Sequence, residues 1–394
     1  MNNPLPFYAH LREHHPVYYI EQYDTYFLSR FQDAWDFLSI SDNTFVGAEG
    51  TLPPPEVLRR ISRGDIPDVP LDPLGPHGFQ PSPYYEILRQ GHGKPLRPGA
   101  VGRLADYVRE VTRERLDLLV PRGTFDLTQH FGGIVSASVM CHMFRLPVSE
   151  AKYVLDTVNS VSMTDPEKGG SDIALLFQRL REIVEPVVRA RRKEGPDGGF
   201  PLVDGMFDVN LPGRGPLTDR EIADTIAVVL LGGTETVPKV VAHGLWELSK
   251  DPAQWDAVRS DPAQHAGAAF EEMVRYCGPA QWFLRTVRRP AVVAGQEMRP
   301  GQRVAYLLPS AARDEREYGD DADSFRWNRE ISRTINFGHG QHFCIGIHLA
   351  RLEGRILVEE FVKRVDHFEV DTARAVRRPS NFQWGWNELP IHVP

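Results

Sequence analysis

The stretch that decides the fold of this chain runs from residue 337 to residue 346 and reads Phe337-Gly338-His339-Gly340-Gln341-His342-Phe343-Cys344-Ile345-Gly346. The two glycines before Cys344 permit a tight loop and a close approach of the backbone to a flat ligand. Gly346 allows the next helix to begin beside the same ligand. A cysteine at a helix N-terminus is favoured as a thiolate by the dipole and the free N–H groups. A thiolate held by N–H groups is what a haem iron requires of its axial ligand.

Two other interpretations of this stretch stay open at the level of residue types. A single cysteine before a helix is commonly a small buried side chain. A zinc site could also be built from four side chains of suitable type. These are His339, His342, Cys344 and His348. The histidines lie in a glycine loop and lack the usual paired spacing of zinc ligands.

Length and composition exclude several classes of protein. The chain has 394 residues with 41% hydrophobic and 25% charged residues, which is typical of a water-soluble globular protein. The net charge of −8 argues against nucleic-acid binding. No signal peptide is visible, and the longest apolar run, Ile226 to Leu231, is far below the roughly 20 residues of a membrane span. Three cysteines (Cys141, Cys277 and Cys344) make no disulfide framework. We therefore expect a cytoplasmic protein without membrane or nucleic-acid partners.

The pattern of apolar residues predicts a mainly α chain with a minor β part. Thr218-Asp219-Arg220-Glu221 matches a capping box, and the periodic apolar run behind it predicts one buried helix over about 219–250. The remaining expectations are strands at Val17–Ile20, Thr25–Leu28 and near 286–306, a long loop over 47–83, and helices over 262–277 and from Cys344 onward.

The pattern Phe337-Gly338-x-Gly340-x-His342-x-Cys344-x-Gly346 resembles the haem-binding signature of the cytochrome P-450 monooxygenases, and every expected position is filled. The resemblance extends over essentially the whole chain and is closest to soluble bacterial members. The stretches 312–317 and 348–351 are similar to the camphor-hydroxylase branch. The resemblance implies one haem domain over residues 1–394, a long helix over the haem, and haem b (iron protoporphyrin IX) with Cys344 as axial ligand.

The predicted long helix contains Gly232-Gly233-Thr234-Glu235-Thr236. Two adjacent glycines inside a helix cost about 1 kcal/mol each relative to alanine, so either a ligand or a neighbouring helix must approach the backbone there. By resemblance this is the family's oxygen groove. Glu235 would carry protons from solvent and Thr236 would hydrogen-bond dioxygen, because cleaving the O–O bond to water consumes two protons.

Two further features follow in and after this helix. Pro238 has no N–H, so the carbonyl of Thr234 loses its partner and the helix is predicted to open or kink beside the groove. Glu272 and Arg275 stand at the i, i+3 spacing of an ion pair. By resemblance they form a buried structural pair that braces the cysteine loop. The supporting arginine is expected just before Phe325, where this chain has Ser324, so the closure of that network stays open.

The resemblance also assigns haem contacts. Arg89, Arg285 and His342 match ligands of the two propionates, a role that suits arginine. Tyr85 stands where many relatives have histidine, and its phenol can still donate a hydrogen bond. The other positions carried over as haem contacts are Phe337, Gly338, Gly346 and Gly232.

Nine positions match the family's substrate contacts and suggest a compact, partly aromatic pocket. They are Val228, Leu231, Gly233, Gln281, Trp282, Phe283, Phe382, Gln383 and Trp384. A buried amide needs a partner, so Gln281 and Gln383 led us to expect a substrate that carries an oxygen or nitrogen.

The expected function is a monooxygenase that uses dioxygen and two external electrons to hydroxylate a small, largely apolar molecule (terpenoid, aromatic or natural-product intermediate). No flavin domain or Gly-x-Gly-x-x-Gly fingerprint is present, so a separate ferredoxin and ferredoxin reductase are expected as electron donors. An acidic ferredoxin would need a basic face. The candidates are Arg103, Arg109, Arg113, Arg351 and Arg355. The alternatives are oxidative coupling or peroxide-driven oxidation, and a metal- or haem-binding sensor.

Overall fold

The computed structural model describes the chain apart from residues 1–2, 42, 48, 50–56, 58, 60–63, 65–70, 73, 162–172, 196–200 and 381. Much of the loop predicted over 47–83 therefore lies outside the described residues. Helices dominate the described part. They are α1 Leu5–His14, α2 Phe31–Ser39, α3 Tyr84–Gly93, α4 Pro98–Gly102, α5 Ala105–Leu119, α6 Gly133–Met143, α7 Ala151–Val161, α8 Ile173–Glu194, α9 Pro201–Phe207, α10 Asp219–Ser249, α11 Pro252–Ser260, α12 Pro262–Tyr276, α13 Leu308–Ala311, α14 Glu315–Tyr318 and α15 Ile347–Arg364.

Helix α10 is the long helix that the sequence predicts. The capping box is complete, because the Thr218 hydroxyl accepts from the Glu221 N–H and the Glu221 carboxylate accepts from the Thr218 N–H. The helix continues through Pro238 to Ser249, so the proline does not end it. It is long and apolar enough to cross a membrane, but 72% of its most apolar window is buried inside the protein, as in the core helix of a globular domain.

Short strands form the minor β part. They are β1 Val17–Ile20, β2 Thr25–Leu28, β3 Phe45–Val46, β4 Thr124–Asp126, β5 Asn210–Leu211, β6 Gly215–Pro216, β7 Trp282–Val287, β8 Ala291–Val293, β9 Gln296–Met298, β10 Arg303–Leu307, β11 Glu369–Val370, β12 Val376–Arg377, β13 Trp386–Glu388 and β14 Pro390–His392. The largest sheet has the order β1-β2-β10-β7-β3, and only the β2–β10 pair is parallel. The predicted strands at 17–20, 25–28 and near 286–306 are all present.

Two apolar clusters make most of the core, and α10 contributes to both. Its N-terminal half (Ile222, Ile226, Leu230) packs with α6 and α8, and its C-terminal half (Val241, Leu245) packs with α12 and α15. The result is a mainly α fold with a small sheet beside it, as predicted. Because α10 runs through the middle, its Gly232–Thr236 stretch lies at the centre of the molecule.

Candidate functional site

The cysteine loop has the tight geometry that its glycines permit. Gly338 and Gly340 both have positive φ, 69° and 68°, and a Cβ at Gly340 would overlap the Leu38 carbonyl oxygen. The Cys344 N–H donates to the Phe337 carbonyl at 2.8 Å, which closes the loop. Gly346 is the N-cap of α15, so Cys344 lies directly before the helix, as predicted.

The electrostatics of Cys344 are only partly those expected. The Gly346 N–H and the positive charge of Arg89 favour the thiolate, but burial raises the pKa of the Cys344 thiol above its ordinary value and outweighs them. The loop by itself therefore does not favour the thiolate. A coordinating metal ion removes the proton outright, so iron itself would complete the thiolate.

The predicted propionate ligands gather around the same loop. Arg89, on α3, donates to the Tyr85 hydroxyl at 2.7 Å and to the Phe343 carbonyl. Tyr85 donates to the Gln341 carbonyl at 3.0 Å, and its ring lies 4.1 Å from that of His342. Arg285 and His342 line one small cavity. These four side chains are therefore brought together at one edge of the loop, where two carboxylates of a haem would need cationic and hydrogen-bonding partners.

The four residues of the zinc interpretation turn to different neighbours. His339 stacks on Trp35 with ring centroids 3.7 Å apart, whereas His342 lies against Tyr85. Among the described residues, no group of three or more His, Cys, Asp or Glu side chains is arranged to hold a metal ion. A haem needs only one protein ligand on this side, and the glycine cradle, the single thiol and the cationic edge fit it.

The two adjacent glycines of α10 have different surroundings. A Cβ added at Gly232 meets no atom within 4 Å, and Gly232 is exposed although the helix around it is buried. A Cβ added at Gly233 would overlap the Sδ of Met140 on α6 and lie 2.8 Å from its Cε. Gly232 therefore faces an open cleft, whereas Gly233 permits close helix packing. The packing explanation therefore applies to Gly233, whereas Gly232 has room for a ligand and its role stays a prediction.

The acid and the alcohol of the groove have distinct environments. The Thr236 hydroxyl is half-buried and donates to the Gly232 carbonyl at 2.7 Å. Glu235 is 5% exposed and accepts from Lys239 Nζ at 2.9 Å and from the Gln383 amide. Arg378 Nη2 lies 3.7 Å from the same carboxylate. Sequence reasoning missed Lys239 and Arg378, because a lysine four residues from a glutamate on a helix is usually a surface pair.

The Glu272–Arg275 pair is fully buried and bidentate, with N–O distances of 2.6 Å. The network closes through Arg329, which the sequence analysis did not identify. Its Nε lies 3.4 Å from the Glu272 carboxylate, and its guanidinium also donates to Tyr318, Asp321 and Ser324. Ser324 contributes only its carbonyl. The family pattern was thus sought at the wrong position, just before Phe325 instead of four residues after it.

The predicted substrate-contact residues lie on α10, at the start of β7 and on the C-terminal turn that is hydrogen-bonded to it. The Gln281 N–H donates to the Phe382 carbonyl at 2.7 Å, which holds the C-terminal turn against the start of β7. Phe382 packs edge-on against both Trp282 and Phe283. Val228 and Leu231 are half-buried on α10, whereas Trp384 is buried beneath Arg377.

Both glutamines have partners within the chain. Gln281 Nε2 lies 3.3 Å from the carbonyls of Ser380 and Gln383, and Gln383 Nε2 donates to Glu235. The two amides are therefore largely hydrogen-bonded within the chain. The argument that the substrate must carry an oxygen or nitrogen is weaker for that reason. Only Gln383 Oε1 is left without a hydrogen-bond partner among the described residues.

The five arginines of the predicted docking face are not equally available. Arg109 and Arg113 are engaged by the buried carboxylates of Glu359 and Glu360 on α15. Arg351 pairs with Glu271 at 2.7 Å, and half-buried Arg355 packs beside Gly267. Arg103 is exposed and donates to the Gly99 carbonyl.

Comparison with known proteins identifies the family and the fold. The family model "Cytochrome P450" matches residues 138–393. A steroid C26-monooxygenase of Mycolicibacterium smegmatis is 30% identical over 74% of this chain and 71% of its own length. An erythromycin C-12 hydroxylase of Saccharopolyspora erythraea is 29% identical over 97% of this chain and 92% of its own. The structure of a mutant P450 EryK in complex with erythromycin B superposes with a TM-score of 0.83 at 26% identity, over 99% of this chain and 95% of that one.

Proposed function

The chain belongs to the cytochrome P450 family, and we propose that this monooxygenase hydroxylates a small, largely apolar organic molecule with Cys344 as the axial ligand of haem b. The overall reaction combines one C–H bond, dioxygen, two external electrons and two protons to give one alcohol and one water. The observation that carries the proposal is the exposed Gly232 and the half-buried Thr236 on α10, with the buried acid Glu235 beside the alcohol.

When bound, the haem supplies the activation of dioxygen and the transfer of one oxygen atom. The protein's own groups hold the haem, tune its thiolate ligand and exclude water. Arg89, Tyr85, Arg285 and His342 hold the propionate edge. The Gly346 N–H donates to the Cys344 sulfur, and such hydrogen bonds tune the electron donation of a thiolate. The half-buried aromatic residues Trp282, Phe283 and Phe382 at the C-terminal turn help to exclude water from the substrate.

Glu235 and Thr236 have separate roles in proton delivery in this proposal. Thr236 holds a hydroxyl at the mouth of the open cleft and hydrogen-bonds dioxygen there. Glu235 lies behind it in the protein, so it can deliver protons without opening the cleft to bulk water. General acid catalysis of this kind contributes about 10²–10⁴-fold to a rate.

The substrate class rests on the apolar lining and on the relatives. Half-buried Val228 and Leu231 and the rings of Trp282, Phe283 and Phe382 offer apolar and aromatic contacts. The relatives named above act, by their names, on a steroid and on erythromycin. We propose terpenoid, aromatic or natural-product intermediates, with electrons from a ferredoxin and its reductase in the cytoplasm.

The first experiment is the difference spectrum of the dithionite-reduced protein with and without carbon monoxide. A strongly red-shifted Soret band is expected, and Cys344→Ala should abolish it. Cys141→Ala and Cys277→Ala are matched controls, since both thiols are buried and free, and both variants should keep the band. A Soret band at the imidazole-ligated position in the wild type, or a band that survives Cys344→Ala, would refute the assignment.

Turnover separates this proposal from the alternatives. Thr236→Ala should divert electrons from product to hydrogen peroxide when dioxygen and a ferredoxin system are supplied. If the variant and the wild type instead work equally well with added hydrogen peroxide, and neither uses dioxygen, the peroxide-driven alternative is correct. Substrates would first be screened by the spin-state shift that displacement of iron-bound water causes.

A further inference from the structure

One face of α10 carries ionisable side chains at every fourth residue, from the oxygen groove to the end of the helix. We call Glu235, Lys239, His243 and Glu247 the acid–base face. Side chains four residues apart on a helix are neighbours, and the two glutamates, twelve positions apart, are separated by about 18 Å along the helix. Lys239 contacts Glu235 at 2.9 Å, and His243 Nε2 lies 3.3 Å from Glu247. The face is thus two contacting pairs in one line.

The C-terminal hairpin, whose strands are β12 and β13, lies beside this face. Residues of the hairpin and of the helix meet in order, so the hairpin runs beside the line of ionisable groups and does not cross it. Gln383 contacts Glu235 and Trp386 contacts His243, and a Cβ added at Gly385 would lie 3.7 Å from the Lys239 Cβ. Arg378, on the same hairpin, lies 3.7 Å from Glu235. Polar and charged side chains of the hairpin therefore meet those of the helix.

The two ends of the acid–base face differ in their access to solvent. Lys239 and His243 are buried, with 2% and 5% of their surface exposed. Glu247 is more accessible and pairs at 2.8 Å with Lys250, whose side chain is 49% exposed. The line therefore begins at the surface near Glu247 and ends inside the protein at Glu235.

Among the described residues, several buried polar atoms of α10 and the hairpin have no hydrogen-bond partner. They include His243 Nδ1, Gln383 Oε1, Trp384 Nε1, Trp386 Nε1 and Arg377 Nη1. Buried polar atoms are nearly always hydrogen-bonded, and water is the usual partner where the protein supplies none. His243 Nδ1 is the key atom, because it is the ring nitrogen that does not face Glu247.

We propose that the acid–base face conducts protons from solvent at Glu247 to Glu235, and this inference rests on the function proposed above. Glu235 gives its proton to the groove and takes one from the Lys239 ammonium. The resulting Lys239 amine is reprotonated through water from His243 Nδ1–H, and His243 Nε2 is reprotonated from solvent through Glu247. One proton enters for each that leaves, and no electron moves.

The charges around each group suit such a transfer. Lys239 faces Glu235 and Arg378, and burial lowers its pKa to about 8 although Glu235 opposes this. Burial also lowers the pKa of His243, and Arg377 and Arg313 act in the same direction against Glu247. The imidazole is therefore neutral near pH 7 and can take a proton on one nitrogen while it releases one from the other. Glu247 faces His243, Lys250, Arg377, Tyr276 and Cys277.

A purely structural role makes different predictions for these residues. A counter-ion for Glu235 requires a cation at position 239, and an arginine would serve as well as a lysine. A proton carrier must also release its proton, which arginine does not do in proteins. A structural role for Lys239 also makes no demand on His243, whose Nε2 faces Glu247.

The test uses the haem-loaded protein with a plant-type ferredoxin, its reductase and dioxygen, without substrate. The variants are Lys239→Arg, Lys239→Met, His243→Phe and His243→Gln, and the control is Trp246→Phe, which alters the same helix–hairpin contact (Trp246 and Trp386 rings 5.0 Å apart) without an ionisable group. The readouts are the hydrogen peroxide formed per electron pair, the solvent deuterium isotope effect, and the pH dependence of thermal unfolding.

We expect each of the four variants to raise the share of hydrogen peroxide over water, with Lys239→Arg and His243→Phe up to about tenfold slower in water formation. They should also enlarge the isotope effect, while Trp246→Phe matches the wild type. Between about pH 8 and 10.5 the wild type should gain stability relative to Lys239→Arg, because the unfolded chain then holds the lysine proton more firmly.

Rescue by Lys239→Arg together with a neutral effect of His243→Phe and His243→Gln would overturn the proposal and leave Lys239 a positioning residue for Glu235. Wild-type behaviour of all four variants would also overturn it. A protein that shows no thiolate-type Soret band with carbon monoxide would refute the proposed function instead, so the two failures are distinguishable.

Discussion

The glycine pair of α10 offers a controlled test of where the ligand side of the helix lies. The same substitution, glycine to alanine, at two adjacent positions should have opposite consequences. In a helix interior it yields about 1 kcal/mol of stability when the methyl group has room. At Gly232 a Cβ meets nothing within 4 Å, so the full gain is expected. At Gly233 the methyl group would displace Met140, and overpacking a core costs about 1–3 kcal/mol.

Subtracting the helix gain leaves Gly233→Ala between about 0 and 2 kcal/mol less stable than the wild type. Gly232→Ala and Gly233→Ala should therefore differ by about 1–3 kcal/mol in the free energy of unfolding, with Gly232→Ala the more stable. Ligand binding should show the reverse order. Gly232→Ala places a methyl group in the open cleft, so carbon monoxide should bind the reduced protein more slowly, whereas Gly233→Ala should bind it normally.

Thermal unfolding and carbon monoxide flash photolysis measure the two quantities on the same samples. Met140→Ala supplies the internal control, because Gly233→Ala should cost less in that background than in the wild type. Equal stability of the two glycine variants would refute the packing explanation for Gly233. If Gly232→Ala bound carbon monoxide at the wild-type rate, the proposal that Gly232 faces the ligand-binding cleft would be refuted.

Three other outcomes follow from the described contacts. Arg329→Met should destabilise the protein by about 3 kcal/mol in thermal unfolding, and Arg329→Lys should not restore it, because an ammonium cannot bind Glu272 and several carbonyls together. Burial raises the pKa of Glu353 from 4.5 to about 7, so the folded chain holds a proton that the unfolded chain loses between these values. The stability that this group contributes therefore falls as pH rises through that window, and the advantage of Glu353→Gln over the wild type should grow by up to about 3 kcal/mol between pH 5 and 8. Arg103→Ala should slow reduction by an acidic ferredoxin about threefold at low ionic strength, and Arg113→Ala should slow it less since its charge is already paired; equal effects in stopped-flow reduction would contradict this.

The parts of the site that the sequence predicts are those set by local chemistry. The loop before Cys344 needs glycines at positive φ, and a capping box followed by a continuous apolar pattern predicts helix α10. These features involve residues close together in the chain. The strands at 17–20 and 25–28 were predicted for the same reason, since alternation and a turn are local.

The parts that the sequence missed depend on burial and on distant partners. Lys239 looks like one half of an ordinary surface pair, and only the hairpin that covers it makes its charge significant. Arg329 is one of many arginines until the turn at 318–324 presents three carbonyl groups and a carboxylate to it. Arg109 was expected on a basic docking face, but Glu359 and Glu360 on α15 neutralise it. No periodicity encodes these pairings.

The C-terminal hairpin links two functions that the sequence analysis treated separately. Its turn carries Phe382, which packs against Trp282 and Phe283 in the predicted pocket, and the next residue, Gln383, donates to Glu235. A substrate that moves this turn must therefore also move one of the groups that hold the acid. Because the Gln383 amide and Lys239 share one carboxylate, loosening the amide leaves that carboxylate to the lysine. The proposed pocket and the proposed proton donor are thus linked through a single side chain, Gln383.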